Sequence, residues 1–128
     1  MSNQNNPSSE KELKNYLQHL ADNFLEIEKI ETKLTSIIRR NSIVDIAAKV
    51  EVYQLMLDRS FHSYLDLKKE INDLVLKINP DNENQTDKKS EKFIQKQLGS
   101  LPETVANADR RFEEVKFHCD VFINETLK

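Results

Sequence analysis

The 128-residue sequence has few of the residues that turns and disulfides require: one glycine, three prolines and one cysteine. Sheets, sandwiches and barrels need glycine and proline at many turns, so this scarcity argues against a β architecture. A lone cysteine, Cys119, cannot form an internal disulfide, which excludes a small domain held together by bridges. With one glycine, the chain carries neither a dinucleotide-binding glycine motif nor a phosphate loop.

The sequence also lacks a strong net charge and long apolar runs. Its formal charge is −3 and its pI is about 5.6, so we expect no nucleic-acid partner. Charged residues interrupt every apolar stretch well before the roughly twenty residues of a membrane span. Residues 1–7 have no basic or apolar region of a secretory signal. We therefore expect a cytoplasmic protein without a transmembrane span.

Three long segments carry apolar residues at intervals of three and four, the pattern of amphipathic helices. Ser9 and Glu12 read as a capping box at the start of the first segment. We predict a turn at Asn41 and Ser42. The expected organisation is a disordered polar tail and one helical-bundle domain over 9–127, with a polar loop at 79–87. Its boundaries are the tail 1–8 and helices of about 9–40, 42–78, 88–98 and 101–126.

The last segment is interrupted at Gly99 and Pro102, yet its apolar phase continues across the interruption. Pro102 therefore lies either in the first turn of a new helix capped by Ser100 or at a kink in one long helix. We favour the new helix. The predicted fold is all-α: an up-and-down antiparallel bundle of three long helices, or four if the chain breaks here.

The sequence carries no catalytic pattern. None of His19, His62 and His118 has a glutamate three positions earlier, as a di-iron bundle requires. Cys119 falls on the apolar stripe and reads as a buried thiol rather than one activated by its neighbour His118. We expect no enzyme activity, no metal and no cofactor.

Four basic doublets, at 39–40, 68–69, 88–89 and 110–111, have acidic residues nearby and read as solvated helix faces rather than phosphate sites.

The aromatic residues outnumber those that one apolar stripe can hide, so they either close the bundle or leave a patch for a partner. We expect partner binding at Phe117, Val121 and Ile123, with Phe117 and Ile123 off the main stripe. The partner would be another protein or a second copy of the chain.

Three stretches share a pattern with one bacterial family. Segment 39–44 reads Arg-Arg-Asn-Ser-Ile-Val; segments 94–98 and 105–112 read Ile-Gln-Lys-Gln-Leu and Val-Ala-Asn-Ala-Asp-Arg-Arg-Phe; segment 79–81 reads Asn-Pro-Asp. Together they resemble the Arg-Arg-Asn-Asp-Leu-Ile, Leu-Gln-x-Gln-Leu, Ile-Ala-x-Ala-x-x-Arg-Tyr and Tyr-Pro-Asp motifs of the LemA family. The resemblance covers about residues 26–123.

This resemblance implies an up-and-down helical bundle of unknown biochemical activity, commonly associated with the bacterial envelope and without catalytic residues. Polar residues stand where the family has a membrane-spanning helix, so we expect a member without an anchor. The expected role is a non-enzymatic interaction or scaffold protein. The alternative is a peripheral, envelope-associated lipid-binding bundle in contact with the inner membrane.

The resemblance carries over six family positions, which we expect to be structural: Arg40, Asn41, Val105, Ala108, Arg111 and Phe112. We expect Arg40 and Asn41 to close the first turn. Arg111 either lays its methylenes on the bundle and pairs with Glu26 or Glu31, or is exposed to solvent.

Overall fold

The computed structural model describes residues 7–40, 44–78 and 88–127. Those residues form three helices, α1 (Pro7–Arg40), α2 (Val44–Ile78) and α3 (Lys88–Thr126), and contain no strand. The all-α prediction is confirmed for this part of the chain. The predicted turn at 41–42, the loop at 79–87 and tail residues 1–6 lie outside the described residues.

The first helix begins two residues earlier than the capping box predicts. Pro7 opens α1, and proline suits a first helical position because the amide that it lacks has no partner there. Ser9 is therefore inside the helix rather than its cap, and residues 7–8, which were predicted to belong to the tail, are helical. Arg39 and Arg40 occupy the last turn, where positive charge complements the helix dipole.

The third helix runs without a break through Gly99 and Pro102, so the predicted division into 88–98 and 101–126 is wrong. Leu101, within the interruption, and Val105, just after it, are buried in the core. A continuous helix keeps both halves of the apolar stripe on that core, and this packing outweighs the cost of an interior proline. The bundle of the described residues has three helices, and a fourth is not supported.

Side-chain contacts between α2 and α3 show that these helices are antiparallel. Tyr53 is near the start of α2 and Phe122 is near the end of α3, and their ring centroids are 4.8 Å apart. Lys77, at the end of α2, lies 5.3 Å from the ring of Phe93, near the start of α3.

The helices α1 and α3 run in the same direction. His19 contacts Asp109, and Glu26, two turns further along α1, contacts Lys116, two turns further along α3. The chain therefore runs up, down and up. The helix α2 packs more extensively on both neighbours than α1 and α3 pack on each other.

One apolar core runs along the bundle, and the predicted stripes supply it. Its largest fully buried side chains are Tyr64, Phe112, Leu13, Leu20, Leu34, Ile37, Leu57, Ile71, Leu74, Leu101, Val50 and Cys119. Burial of this apolar surface holds the three helices together.

Candidate functional site

A cluster of four polar side chains joins the three helices near the middle of the bundle. We call it the polar centre: His19 and Asn23 from α1, Tyr64 from α2 and Asp109 from α3. Tyr64 Oη donates to Asp109 Oδ1 at 2.7 Å. His19 Nε2 lies 2.8 Å from Asp109 Oδ2, and Asn23 Nδ2 lies 3.4 Å from Asp109 Oδ1. A single carboxylate thus accepts hydrogen bonds from both other helices.

The contacts of the polar centre fix its donors and acceptors. A carboxylate accepts only, so His19 carries a hydrogen on Nε2 and donates it to Asp109. Asn23 Nδ2 also lies 3.2 Å from His19 Nε2, but two donors cannot bond to each other, so its hydrogen goes to Asp109. The exposed fractions are 43% for the His19 side chain and 32% for that of Asp109, so solvent reaches this carboxylate.

Tyr64 is the buried member of the polar centre, with an exposed fraction of 0%. Burial first, and then the hydrogen bond to Asp109, raises the pKa of Tyr64 far above its ordinary value. Its ring makes edge contacts with Phe112 on α3 and Phe24 on α1, at centroid distances of 5.7 and 6.3 Å. The hydroxyl therefore stays protonated at neutral pH, and acts as a fixed donor rather than a base.

A groove of about 300 Å³ lies between α2 and α3. Three apolar or small side chains line it: Met56, Ala108 and Val115. Six polar side chains complete the lining: Arg59, Ser60, Ser63, Arg111, Glu114 and His118. Its volume is at the lower end of the range typical of small-molecule sites.

Arg111 lines this α2–α3 groove and does not pair with Glu26 or Glu31. Glu26 instead contacts Lys116, at 3.8 Å, and Lys29, at 3.9 Å. Burial and the nearby charge of Asp58 raise the pKa of Glu31, and no described cation pairs with it. The predicted pairing is wrong because Glu26 lies where α1 meets α3, whereas Arg111 lies on the α2 side of α3. Arg111 is exposed, as the alternative prediction had it.

The predicted partner residues divide between surface and core. Phe117 is 64% exposed and Val121 is 39% exposed, and both lie on the side of α3 turned away from the bundle, which we call the outer face. Ile123 is only 5% exposed, so its prediction as a docking residue is wrong. It follows Cys119 by one helical turn and therefore lies on the same buried stripe.

Cys119 is completely buried, as the apolar stripe predicts. Burial, with a smaller contribution from the charge of Asp120, raises the pKa of Cys119 to about 11. Its neighbour His118 is exposed and lines the groove instead. The thiol therefore belongs to the core and is weakly nucleophilic at neutral pH.

The positions on α3 that the resemblance predicted to be structural are also core residues, with the exception of Arg111. Val105, Ala108 and Phe112 are buried. Arg40 is exposed in the last turn of α1, and Asn41 lies outside the described residues.

Within residues 7–40, 44–78 and 88–127, no group of three histidine, cysteine, aspartate or glutamate side chains is placed to hold a metal ion. No helix in the same ranges is long and apolar enough to cross a membrane.

Sequence reasoning missed the polar centre. His19 and Asn23 are one helical turn apart at the margin of the α1 stripe, and Asp109 follows the buried Ala108. Polar residues spaced by four beside an apolar stripe were the available signal, but they do not reveal partners 86 and 90 positions away.

Comparisons of the chain with protein-family models, with curated proteins and with solved structures find no match.

Proposed function

We propose that this chain is a non-enzymatic interaction or scaffold module that binds a partner through the outer face of α3. The observation that carries the proposal is the 64% exposure of Phe117, with Val121 39% exposed one turn further along. Large apolar side chains left in water at helical spacing favour contact with another apolar surface. The core is filled without them, so they are free to bind.

The partner is a protein surface with an apolar ridge, such as an amphipathic helix, or a second copy of the chain. Two apolar residues one turn apart form a ridge that fits the groove of a facing helix. A second copy would present the same ridge in a symmetric contact, so self-association is the simplest form of this function.

We include kinship with the LemA family, bacterial origin and a cytoplasmic location in this proposal. Support comes from the motif-like segments at 39–44, 94–98 and 105–112, two of which lie on α3. The alternative function is a peripheral membrane or envelope-associated lipid-binding bundle. It predicts that the chain is recovered with envelope proteins in the membrane fraction.

In-cell crosslinking of the tagged protein tests the proposal, with mass spectrometry of what co-purifies from soluble and membrane fractions. The informative variant is Phe117→Asp, and the matched control is Leu25→Asp, because Leu25 is 57% exposed on α1. We expect a stoichiometric partner, or the chain itself, to be lost with Phe117→Asp and retained with Leu25→Asp.

Equal recovery with both variants would contradict docking on the outer face. Recovery of envelope proteins, chiefly in the membrane fraction, would favour the lipid-binding alternative. Sedimentation velocity of the purified protein distinguishes self-association from binding of another protein. Only self-association gives a dimer or larger species when no other protein is present.

A further inference from the structure

The α2–α3 groove combines positive charge with an apolar floor. Arg59 lines it from α2 and Arg111 from α3, so a positively charged residue borders the groove on each side. Neither arginine forms an ion pair with any carboxylate in the described part of the chain. Lys116, by contrast, contacts both Glu26 and Glu113.

The neighbouring arginine shows that this arrangement is specific to position 111. Arg110 Nη2 donates to the Asn107 side chain at 2.8 Å and does not line the groove. Arg110 and Arg111 are both exposed, but only Arg111 lines the groove. The two positions provide a natural comparison of equal charge.

The donors around the groove exceed what a carboxylate ligand can accept. Each guanidinium offers a planar fork of N–H groups, and the hydroxyls of Ser60 and Ser63 add further donors. A carboxylate has two oxygens, whereas a phosphate monoester has three terminal oxygens and a second negative charge. Phosphate is therefore the anion that matches two arginines on opposite walls.

The rest of the lining selects an apolar body for the ligand. Met56, Ala108 and Val115 offer carbon surface beside the charged groups. We propose that the groove binds a phosphate monoester with a short apolar chain, its phosphate held between Arg59 and Arg111. The ligand chemistry is shared by soluble phosphomonoesters and by the headgroup of phosphatidic acid.

Titration calorimetry with hexyl phosphate on the full chain tests this assignment, with hexanol and inorganic phosphate as comparison probes. Arg111→Gln should weaken hexyl phosphate binding by about tenfold or more, because it removes charge-assisted hydrogen bonds. Arg59→Gln should act in the same direction. Arg110→Gln is the matched control and should change the affinity by less than about twofold, in keeping with a surface charge.

A third variant tests the sign of the field inside the groove. Glu114 lines the same groove, so Glu114→Gln removes a repulsive charge and should tighten binding of hexyl phosphate. Circular dichroism of each variant checks that the helices are retained. Flotation with phosphatidylcholine vesicles, with and without phosphatidic acid, distinguishes the lipid source from a soluble one.

Failure of both hexyl phosphate and phosphatidic acid vesicles to bind would overturn the proposal. So would equal weakening by Arg110→Gln and Arg111→Gln, which would indicate a general charge effect. Equal affinity for hexyl phosphate and inorganic phosphate would overturn the apolar half of the assignment. Because Phe117 lies on the outer face, none of these results depends on the proposed docking function.

Discussion

The hydrogen bond from Tyr64 to Asp109 makes a measurable contribution to stability, and Tyr64→Phe removes it while keeping the ring. The donor and acceptor oxygens are 2.7 Å apart, and the tyrosine side chain is completely buried. A hydrogen bond to a charged group contributes about 1.5–3 kcal/mol. Water can replace the lost donor at Asp109, which is 32% exposed, so we expect the lower part of that range.

A double-mutant cycle isolates this hydrogen bond from other effects. Asp109→Ala leaves the Tyr64 hydroxyl buried without its acceptor, which costs about 1–3 kcal/mol, and also removes the contacts to His19 and Asn23. In the double mutant, Tyr64→Phe with Asp109→Ala, residue 64 has no hydroxyl that needs an acceptor. We therefore expect the two changes together to cost less than their sum, with a coupling of about 1 kcal/mol or more.

Urea denaturation followed by circular dichroism at neutral pH measures all four proteins. Tyr53→Phe is the matched control, because Tyr53 is half-buried against Phe122 and no described residue accepts a hydrogen bond from its hydroxyl. If Tyr64→Phe lowers the free energy of unfolding no more than Tyr53→Phe does, the hydrogen bond to Asp109 does not stabilise the fold. A coupling below about 0.3 kcal/mol would lead to the same conclusion, since distant sites reach that value.

Two further predictions concern α3. Gly99→Ala should raise the free energy of unfolding by about 0.5–1 kcal/mol, because alanine favours a helix more than glycine does and a Cβ here meets no neighbouring atom within 4 Å. A lower urea midpoint would contradict the helical conformation of residue 99. Burial raises the pKa of the Cys119 thiol from its ordinary value of 9.0 to about 11, so the folded chain holds this proton to higher pH than the unfolded chain does. The stability that the folded chain gains from this protonated thiol is therefore fully present below pH 8. Above pH 8 the free energy of unfolding falls, by up to about 1.4 kcal/mol per pH unit. Urea midpoints between pH 8 and 10 should fall for the parent chain more than for Cys119→Ala, and equal slopes would contradict the burial argument.

Periodicity alone was enough to predict the helices and most of the core. Leucine and isoleucine at intervals of three and four place an apolar stripe along one side of a helix. The hydrophobic effect favours burial of that stripe. The error at Gly99 and Pro102 has a different origin. Glycine and proline indicate a turn from local sequence alone, which contains no information about tertiary contacts. Burial of Leu101 and Val105 in the core favours the continuous helix.

The candidate sites depend on information that the sequence does not carry locally. Asp109 and Tyr64 are 45 positions apart, and only the register between α2 and α3 brings them together. The same register places Arg111 on the lining of one groove with Arg59, away from Glu26 on α1. Exposure of Phe117 was predictable because it depends on one helix alone, without reference to its neighbours.

The single carboxylate shared by three helices sets the alignment of the bundle. Leucine and isoleucine stripes are nearly self-similar, so they tolerate a slide of one helix along another by one turn, about 5.4 Å. Asp109 does not, because such a slide would separate its carboxylate from the donors on Tyr64, His19 and Asn23. Replacing it with leucine would therefore threaten the uniqueness of the fold, even in a variant that melts no earlier than the parent chain.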